Sequence, residues 1–322
     1  MEDISKGLEP FRIPIEDTHH LGSFLLYITD SIFPDGTPVT TYEPESSSAD
    51  GESDEDSTNE TYTCSCVANH DDHPSVNICT VENGATCDCV SDFGNFYYMP
   101  SGNCDDHKDI DRQLLNLEAL PERLPLVECS PICPCSGNCA NRLTQRGVLI
   151  STTIRPSSSG VGLGLFYIST THDDLPQGCF VSLYAGEYLT TDQARQRWSN
   201  QRVHEEGQGN HILSLKLPGK TWHIDPRFKG NIGRFLNHSC DPNCVIQIVR
   251  WGIDSLPRAA IFTKRGVRVG EELTFDYANA SGSVDLAAQL DRQNVIEDGA
   301  GRTKCLCGSQ KCRGWMPFDE TL

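Results

Sequence analysis

The placement of cysteine limits this chain's fold more than any other feature. Nine of the 16 cysteines fall in two early blocks: Cys64-x-Cys66, Cys79 and Cys87-x-Cys89, then Cys129-x3-Cys133-x-Cys135-x3-Cys139. The close C-x-C pairs cannot readily bond to each other, and an odd count leaves one thiol over, so disulfides account poorly for the pattern. The opening MEDISKGLEP lacks the basic start and apolar core of a secretory signal. In a reducing compartment, cysteine clusters are more often metal sites than disulfides. Nine thiolates cannot fill three separate zinc tetrahedra at four ligands each. The ligand places close if three of the thiolates bridge and so count twice. The arithmetic therefore favours a three-zinc cluster over isolated fingers. Cys104 fits neither half, and His70 and His73 read as loop histidines in the interval between Cys66 and Cys79.

A second group, Cys305-Leu-Cys307-x4-Cys312, is one ligand short of a structural zinc site. Cys240 is the best fourth ligand. It lies in GNIGRFLNHSCDPN, residues 230–243, which gathers Asn237, His238, Cys240 and the turn-forming Asp241-Pro242-Asn243. Ile232, Phe235 and Leu236 carry this segment into a core before it turns. A metal shared between Cys240 and the tail folds the C-terminal region back onto clustered polar side chains.

The net charge of −19 speaks against direct binding to DNA, because phosphate contacts need a basic surface. It matches a basic partner such as a Lys/Arg-rich tail, although plain solubility explains it as well. No apolar run of about 18 residues is present, so no membrane span is expected.

Along the chain, residues 24–33 read as one strand followed by a Pro34-Asp35-Gly36 turn. Residues 43–60 hold eight acids and no large apolar side chain, the composition of a disordered spacer. Residues 109–127 look partly helical. VLISTTI, CFVSLYAGEYL, HILSLKL, TWHID, CVIQIVRW, RAAIFTKR and EELTFDYAN read as strands, with a helix over TTDQARQRWSNQR capped by Thr191 or Asp192. Residues 281–300 are polar and read as a mobile connector. The sum is a mostly β fold with short helices.

NHSCDPN, ELTFDY and CLCGSQKCRGW, preceded by the nine-cysteine block, resemble the SET-domain protein lysine methyltransferases, in the branch acting on lysine 9 of histone H3. The resemblance implies an N-terminal segment at 1–61, a three-zinc pre-SET unit at 62–147, a SET domain at 148–280 and a zinc-binding post-SET unit at 301–318. It implies small curved sheets and a knot-like crossing of the NHSC and FDY segments. It also implies S-adenosylmethionine as methyl donor, a histone H3 tail as substrate, a monomer, and residence in the nucleus on chromatin. Lysine 36, a non-histone lysine, or a non-enzymatic chromatin-binding module are the alternatives.

By the same resemblance, Tyr277 orients the reacting amine, Tyr184 lines its channel, and Phe275 leaves room for di- or trimethylation. Asn237 and His238 contact the donor through backbone and carboxamide, Gly162, Leu163 and Gly164 form the turn around it, and Trp315 closes over it. Leu163 stands where the family has tryptophan. His211 stands where it usually has tyrosine; imidazole is shorter and titrates near neutral pH, so a pH-dependent or weak activity is expected. Leu213 replaces an aromatic wall. The implied zinc sets are Cys64, Cys66, Cys79 and Cys87; Cys64, Cys89, Cys129 and Cys133; Cys79, Cys129, Cys135 and Cys139; and, in the tail, Cys240, Cys305, Cys307 and Cys312. Cys179 and Cys244 are left as small buried residues.

Overall fold

The computed structural model describes residues 1–16, 26–38, 62–65, 87–100, 113–120, 125–135, 137, 139–204, 210–279, 303–317 and 322. The acidic segment 43–60, the connector 281–300, and Cys66, His70, His73, Cys79, Cys104 and Phe318 lie outside the described residues.

A six-residue helix, α1 (Asp88–Phe93), stands in the first cysteine block. The β-branched run VLISTTI becomes β1 (Thr152–Pro156), which turns back antiparallel into β2 (Leu163–Tyr167). The Ser157 N–H closes the loop on the Gly162 carbonyl at 2.7 Å. Gly162 holds a φ of +98°, which favours glycine.

CFVSLYAGEYL is two strands in separate sheets, not one: β3 (Phe180–Leu183) and β4 (Glu187–Leu189). The break has a steric cause. A Cβ on Gly186 would lie 2.6 Å from the Asp225 carbonyl carbon, so only glycine lets the two backbones pass.

The helix α2 (Thr191–His204) follows. Its cap is Thr190, one residue before the expected position. The Thr190 hydroxyl accepts from the Gln193 N–H at 3.3 Å, and the Gln193 side chain accepts from the Thr190 N–H at 2.9 Å, a reciprocal capping box.

HILSLKL and TWHID form a hairpin, β5 (Leu213–Leu217) and β6 (Lys220–Asp225), about the Pro218-Gly219 turn. Then come β7 (Asn237–His238), β8 (Cys244–Trp251), β9 (Arg258–Thr263) and β10 (Glu272–Phe275). The largest sheet runs Glu2–Asp3, Pro14–Ile15, β1, β2, β10, β7. A second runs Leu126–Glu128, β8, β9, β3, and a third β4, β6, β5. The described residues are thus mostly β, with short helices.

Two expectations fail. The 109–127 stretch shows no helix among its described residues. Leu114–Leu115 is a short strand, and the Leu115 N–H goes to the Gly178 carbonyl at 2.8 Å. Pairing across the fold thus takes the donor a helix would have used. Among the described residues of 24–33, the strand is limited to Leu26–Tyr27, pairing parallel with Lys229–Gly230; Leu26 is 50% exposed, so no core face pulls the run into a longer strand. The turn after it forms, with the Gly36 N–H on the Phe33 carbonyl.

Ile154, Leu165, Leu215, Ile224, Ile232, Ile261 and Leu273 are fully buried in one core. Ile232 and Leu236 anchor the NHSC segment in that core, which fixes where its polar residues emerge.

Candidate active site and metal centres

The site is built on β7. Asn237 and His238 pair parallel with Thr274 and Phe275 of β10, and the Ser239 N–H continues the ladder to the Phe275 carbonyl. The Asp-Pro-Asn turn folds back onto the same strand. The Asn243 side chain donates to the Glu272 carbonyl at 2.8 Å and accepts from the Thr274 N–H at 2.8 Å. The NHSC segment therefore lies locked against the FDY segment.

His238 is committed within the protein. Its Nδ1 accepts from the Tyr277 N–H at 3.2 Å, which places the proton of the neutral ring on Nε2, 3.3 Å from Cys240 Sγ. Burial holds its pKa well below the usual imidazole value, Asp276 opposing and Arg313 adding to the shift. The ring thus fixes the Cys240 sulfur on one side and the Tyr277 backbone on the other. Both amide hydrogens of Asn237 are likewise used, on the Leu163 carbonyl at 3.1 Å and the Glu272 carboxylate at 2.7 Å. Contact with a ligand is left to the β7 backbone and the Asn237 oxygen.

Cys240, Cys305, Cys307 and Cys312 bring four sulfurs within 4.8 Å of one another. In a zinc tetrahedron with Zn–S of about 2.3 Å, sulfurs stand ~3.8 Å apart. Cys240 and Cys305 are separated by 3.8 Å. The Arg313 N–H points at Cys240 Sγ (3.4 Å) and the Gly314 N–H at Cys312 Sγ (3.4 Å), donors that suit thiolates. In the first blocks, Cys64, Cys87, Cys89 and Cys129 form one group and Cys129, Cys135 and Cys139 another. Cys129 is common to both, as a bridging thiolate must be. The separations Cys89–Cys133 (3.9 Å) and Cys129–Cys139 (3.9 Å) fit the implied sets, whereas Cys87 lies 3.7 Å from Cys129, a pair those sets place on different metals. The sulfurs present therefore suit zinc at both centres.

Beyond its cysteines, the tail touches the site directly. Arg313 donates to Asp276 at 2.6 Å, next in sequence to Tyr277, and Lys311 pairs with Asp241 at 3.1 Å. Asp276 and Arg313 lie inside ELTFDY and CLCGSQKCRGW, but their pairing escapes sequence reading because the partners are 37 residues apart.

Tyr184, Phe275 and Tyr277 form an aromatic cluster. Phe275 lies 4.7 Å from the Tyr277 ring and 6.2 Å, edge-on, from Tyr184. The Tyr277 hydroxyl donates to the Leu236 carbonyl at 3.0 Å and that of Tyr184 to the His211 carbonyl at 2.6 Å. Burial drives both phenol pKa values up, aided at Tyr277 by the Glu272 charge. Both stay protonated at neutral pH, so Tyr277 serves as a hydrogen-bonding hydroxyl with free lone pairs, not as a phenolate base. Leu213 is buried in the core at the start of β5, two residues after His211.

His211 departs from the expected pH response. Burial, with the positive Arg234 adding, lowers its pKa from 6.5 to about 4. The ring is neutral across the physiological range, so it gives activity no inflection near pH 7. Acid has a different effect. The unfolded chain takes up the proton as pH falls below 6.5, while the folded chain resists until about 4. Stability is therefore lost as pH falls through this window. His211→Tyr is expected to show a shallower decline of Tm between pH 6.5 and 4 and an unchanged rate profile from pH 6 to 8, read by thermal melts and initial rates.

A cleft of about 510 Å³ opens between the loop at Ser158-Ser159, β7 and the tail loop Cys307–Lys311, of a size that takes a small molecule. Gly164 stands behind it, where any Cβ would collide with the Glu272 carboxylate. Of the residues expected on the donor, Asn237 and His238 line this cleft, whereas Gly162, Leu163, Gly164, His211 and Trp315 do not; Trp315 pairs with Lys304, and the 307–311 loop forms that wall instead. Gly162 and Leu163 sit at the start of β2, with the Leu163 carbonyl held by Asn237.

A β fold whose NHSC strand is clasped between a tyrosine motif and a cysteine-rich tail defines the SET-domain class, and the SET domain pattern matches residues 162–278. The chain belongs to the SET-domain family. It is 37% identical over 209 residues to the probable histone-lysine N-methyltransferase set-23 of Caenorhabditis elegans, covering 61% of this chain and 74% of that protein. It is 35% identical over 205 residues to the histone-lysine N-methyltransferase SETMAR of Rattus norvegicus, covering 62% of this chain and 61% of the relative, so it spans about three fifths of that protein's length. The solved methyltransferase domain of human SETMAR superposes with a TM-score of 0.65 at 25% identity, over 99% of this chain and 98% of that one. KRYPTONITE, solved with mCHH DNA, an H3(1-15) peptide and SAH, shares the fold at a TM-score of 0.62 and 24% identity, over 98% of this chain and 54% of that one.

Proposed function

We propose that this chain is a histone-lysine N-methyltransferase that uses S-adenosylmethionine to methylate lysine 9 of a histone H3 tail to the di- or trimethyl state, as a nuclear, chromatin-associated monomer. The observation that carries this reading is the Tyr184–Phe275–Tyr277 cluster joined through Asn237–His238 to a cleft walled by the zinc-binding tail. The relatives named above support the activity, and the net charge of −19 suits a basic tail.

When bound, the donor supplies an electrophilic methyl on a sulfonium. The protein's task is then positioning and proton control. Lysine has an ordinary pKa of about 10.4, and an apolar aromatic wall penalises its charged form, favouring the neutral amine. The Tyr277 hydroxyl spends its hydrogen on the Leu236 carbonyl and keeps its lone pairs for the amine N–H, which aims the nitrogen lone pair away from the phenol. Tyr184, tied to His211, holds the wall rigid.

Phe275 offers no hydroxyl to hold a water beside the amine. Phe275→Tyr is expected to shift products from di- and trimethyl to monomethyl, read by mass spectrometry of an H3 peptide. Radiolabelled methyl transfer to H3 peptides singly altered at each lysine tests the site. Loss of label only on the lysine 9 variant supports the reading. Loss on the lysine 36 variant, or no label on any peptide, sinks it.

A further inference from the structure

Glu272 stands where three segments meet. One carboxylate oxygen accepts from the Asn237 amide at 2.7 Å, and the other accepts from the Ser157 hydroxyl at 2.8 Å. Ser157 is the hub of its loop. Its hydroxyl accepts from the Ser159 N–H at 3.3 Å, and its own N–H closes on the Gly162 carbonyl at 2.7 Å. Gly164 completes the fit from behind, since a Cβ there would fall 2.8 Å from the Glu272 carboxyl carbon. The second Asn237 hydrogen returns to the Leu163 carbonyl in the same turn. One side chain of β10 thus ties loop 157–164 at one oxygen and β7 at the other. Those two segments supply opposing parts of the 510 Å³ cleft, Ser158 and Ser159 from the loop and Asn237 and His238 from β7, and Glu272 lines it between them.

We propose that Glu272 is a positioning residue that sets the spacing of the methyl-donor cleft by pinning loop 157–164 to β7. This rests on the methyltransferase reading above. Removing the carboxylate leaves a partly buried amide donor and a hydroxyl without their acceptor, and frees the two walls to drift apart. Glutamine restores the link, since its oxygen accepts from Asn237 and its amide donates to the Ser157 oxygen.

The test is calorimetric titration of S-adenosylmethionine into the zinc-loaded wild type, Glu272→Ala, Glu272→Gln, Ser157→Ala and the Glu272→Ala/Ser157→Ala double variant, with steady-state rates, melting curves and zinc content for each. Glu272→Ala is expected to weaken donor binding ~10-fold and raise the donor KM to match, while kcat at saturating donor stays within about threefold. Glu272→Gln is expected to bind within about threefold of wild type, and Ser157→Ala between the two. The double variant is expected to bind no more weakly than Glu272→Ala, because both substitutions break one link. Unchanged donor affinity in Glu272→Ala overturns the proposal, whatever happens to its melting temperature. So does a Glu272→Gln as defective as the alanine variant. If Glu272→Ala does not fold, Glu272→Gln and Ser157→Ala decide between the same outcomes. A wild type with full zinc that binds no donor overturns the methyltransferase reading itself, an outcome distinct from those.

Discussion

Tyr277→Phe is expected to lower methyl transfer by ~10²–10³-fold while donor affinity stays within about threefold of wild type. The substitution removes one oxygen and little else. Phenylalanine keeps the ring against Phe275 at 4.7 Å and His238 at 5.3 Å, so the aromatic cluster retains its packing. The Tyr277 N–H still meets His238, because that contact is made by backbone. What disappears is the hydroxyl whose hydrogen is engaged by the Leu236 carbonyl and whose lone pairs orient the amine. Single-turnover rates and donor titration on the same preparation separate the two effects. A loss of donor affinity as large as the loss of rate would assign Tyr277 a packing role instead.

Removing the tail metal is expected to abolish donor binding, with a loss of ~100-fold or more, while the core β-sheets survive. Cys305→Ser is the sharper variant, because Cys240 also meets His238 at 3.3 Å and its loss disturbs two things at once. Without the fourth thiolate the segment 303–317 is held by its ion pairs, Arg313 with Asp276 and Lys311 with Asp241, and by the Arg313 contact with Cys240. The Lys311 pair is largely exposed and contributes little. The 307–311 wall of the cleft then opens. Zinc content by atomic absorption should fall by one ion per chain, donor titration should show no saturable heat, and far-UV circular dichroism should change little. Donor binding that persists without this zinc removes the tail from the site.

Most of the site's backbone was legible in sequence. The four-cysteine tail centre follows from ligand arithmetic and the strand alternation from pattern, since both depend on spacing along the chain. Side-chain commitments were not. Asn237 and His238 read as donor contacts, yet the Asn237 amide hydrogens and both His238 nitrogens face partners 35 or more residues away or, for Cys240, a sulfur whose position the metal sets. Glu272 and Arg313 looked like ordinary charges because their partners are remote. His211 misled for a related reason: its pKa depends on burial and on Arg234, which no local window contains. The misplaced helix at 109–127 has the same origin, as the Gly178 carbonyl outbids a local turn.

The clasp around β7 also says when the cleft can exist. Its Asn237 is held by Leu163, 74 residues earlier, and by Glu272, 35 residues later, while the sulfur beside it waits for Cys305, 65 residues on. Contacts of such long range close slowly. During synthesis the strand precedes the last of the tail cysteines, Cys312, by more than 70 residues, so the cleft can close only after most of the sheet strands have been made.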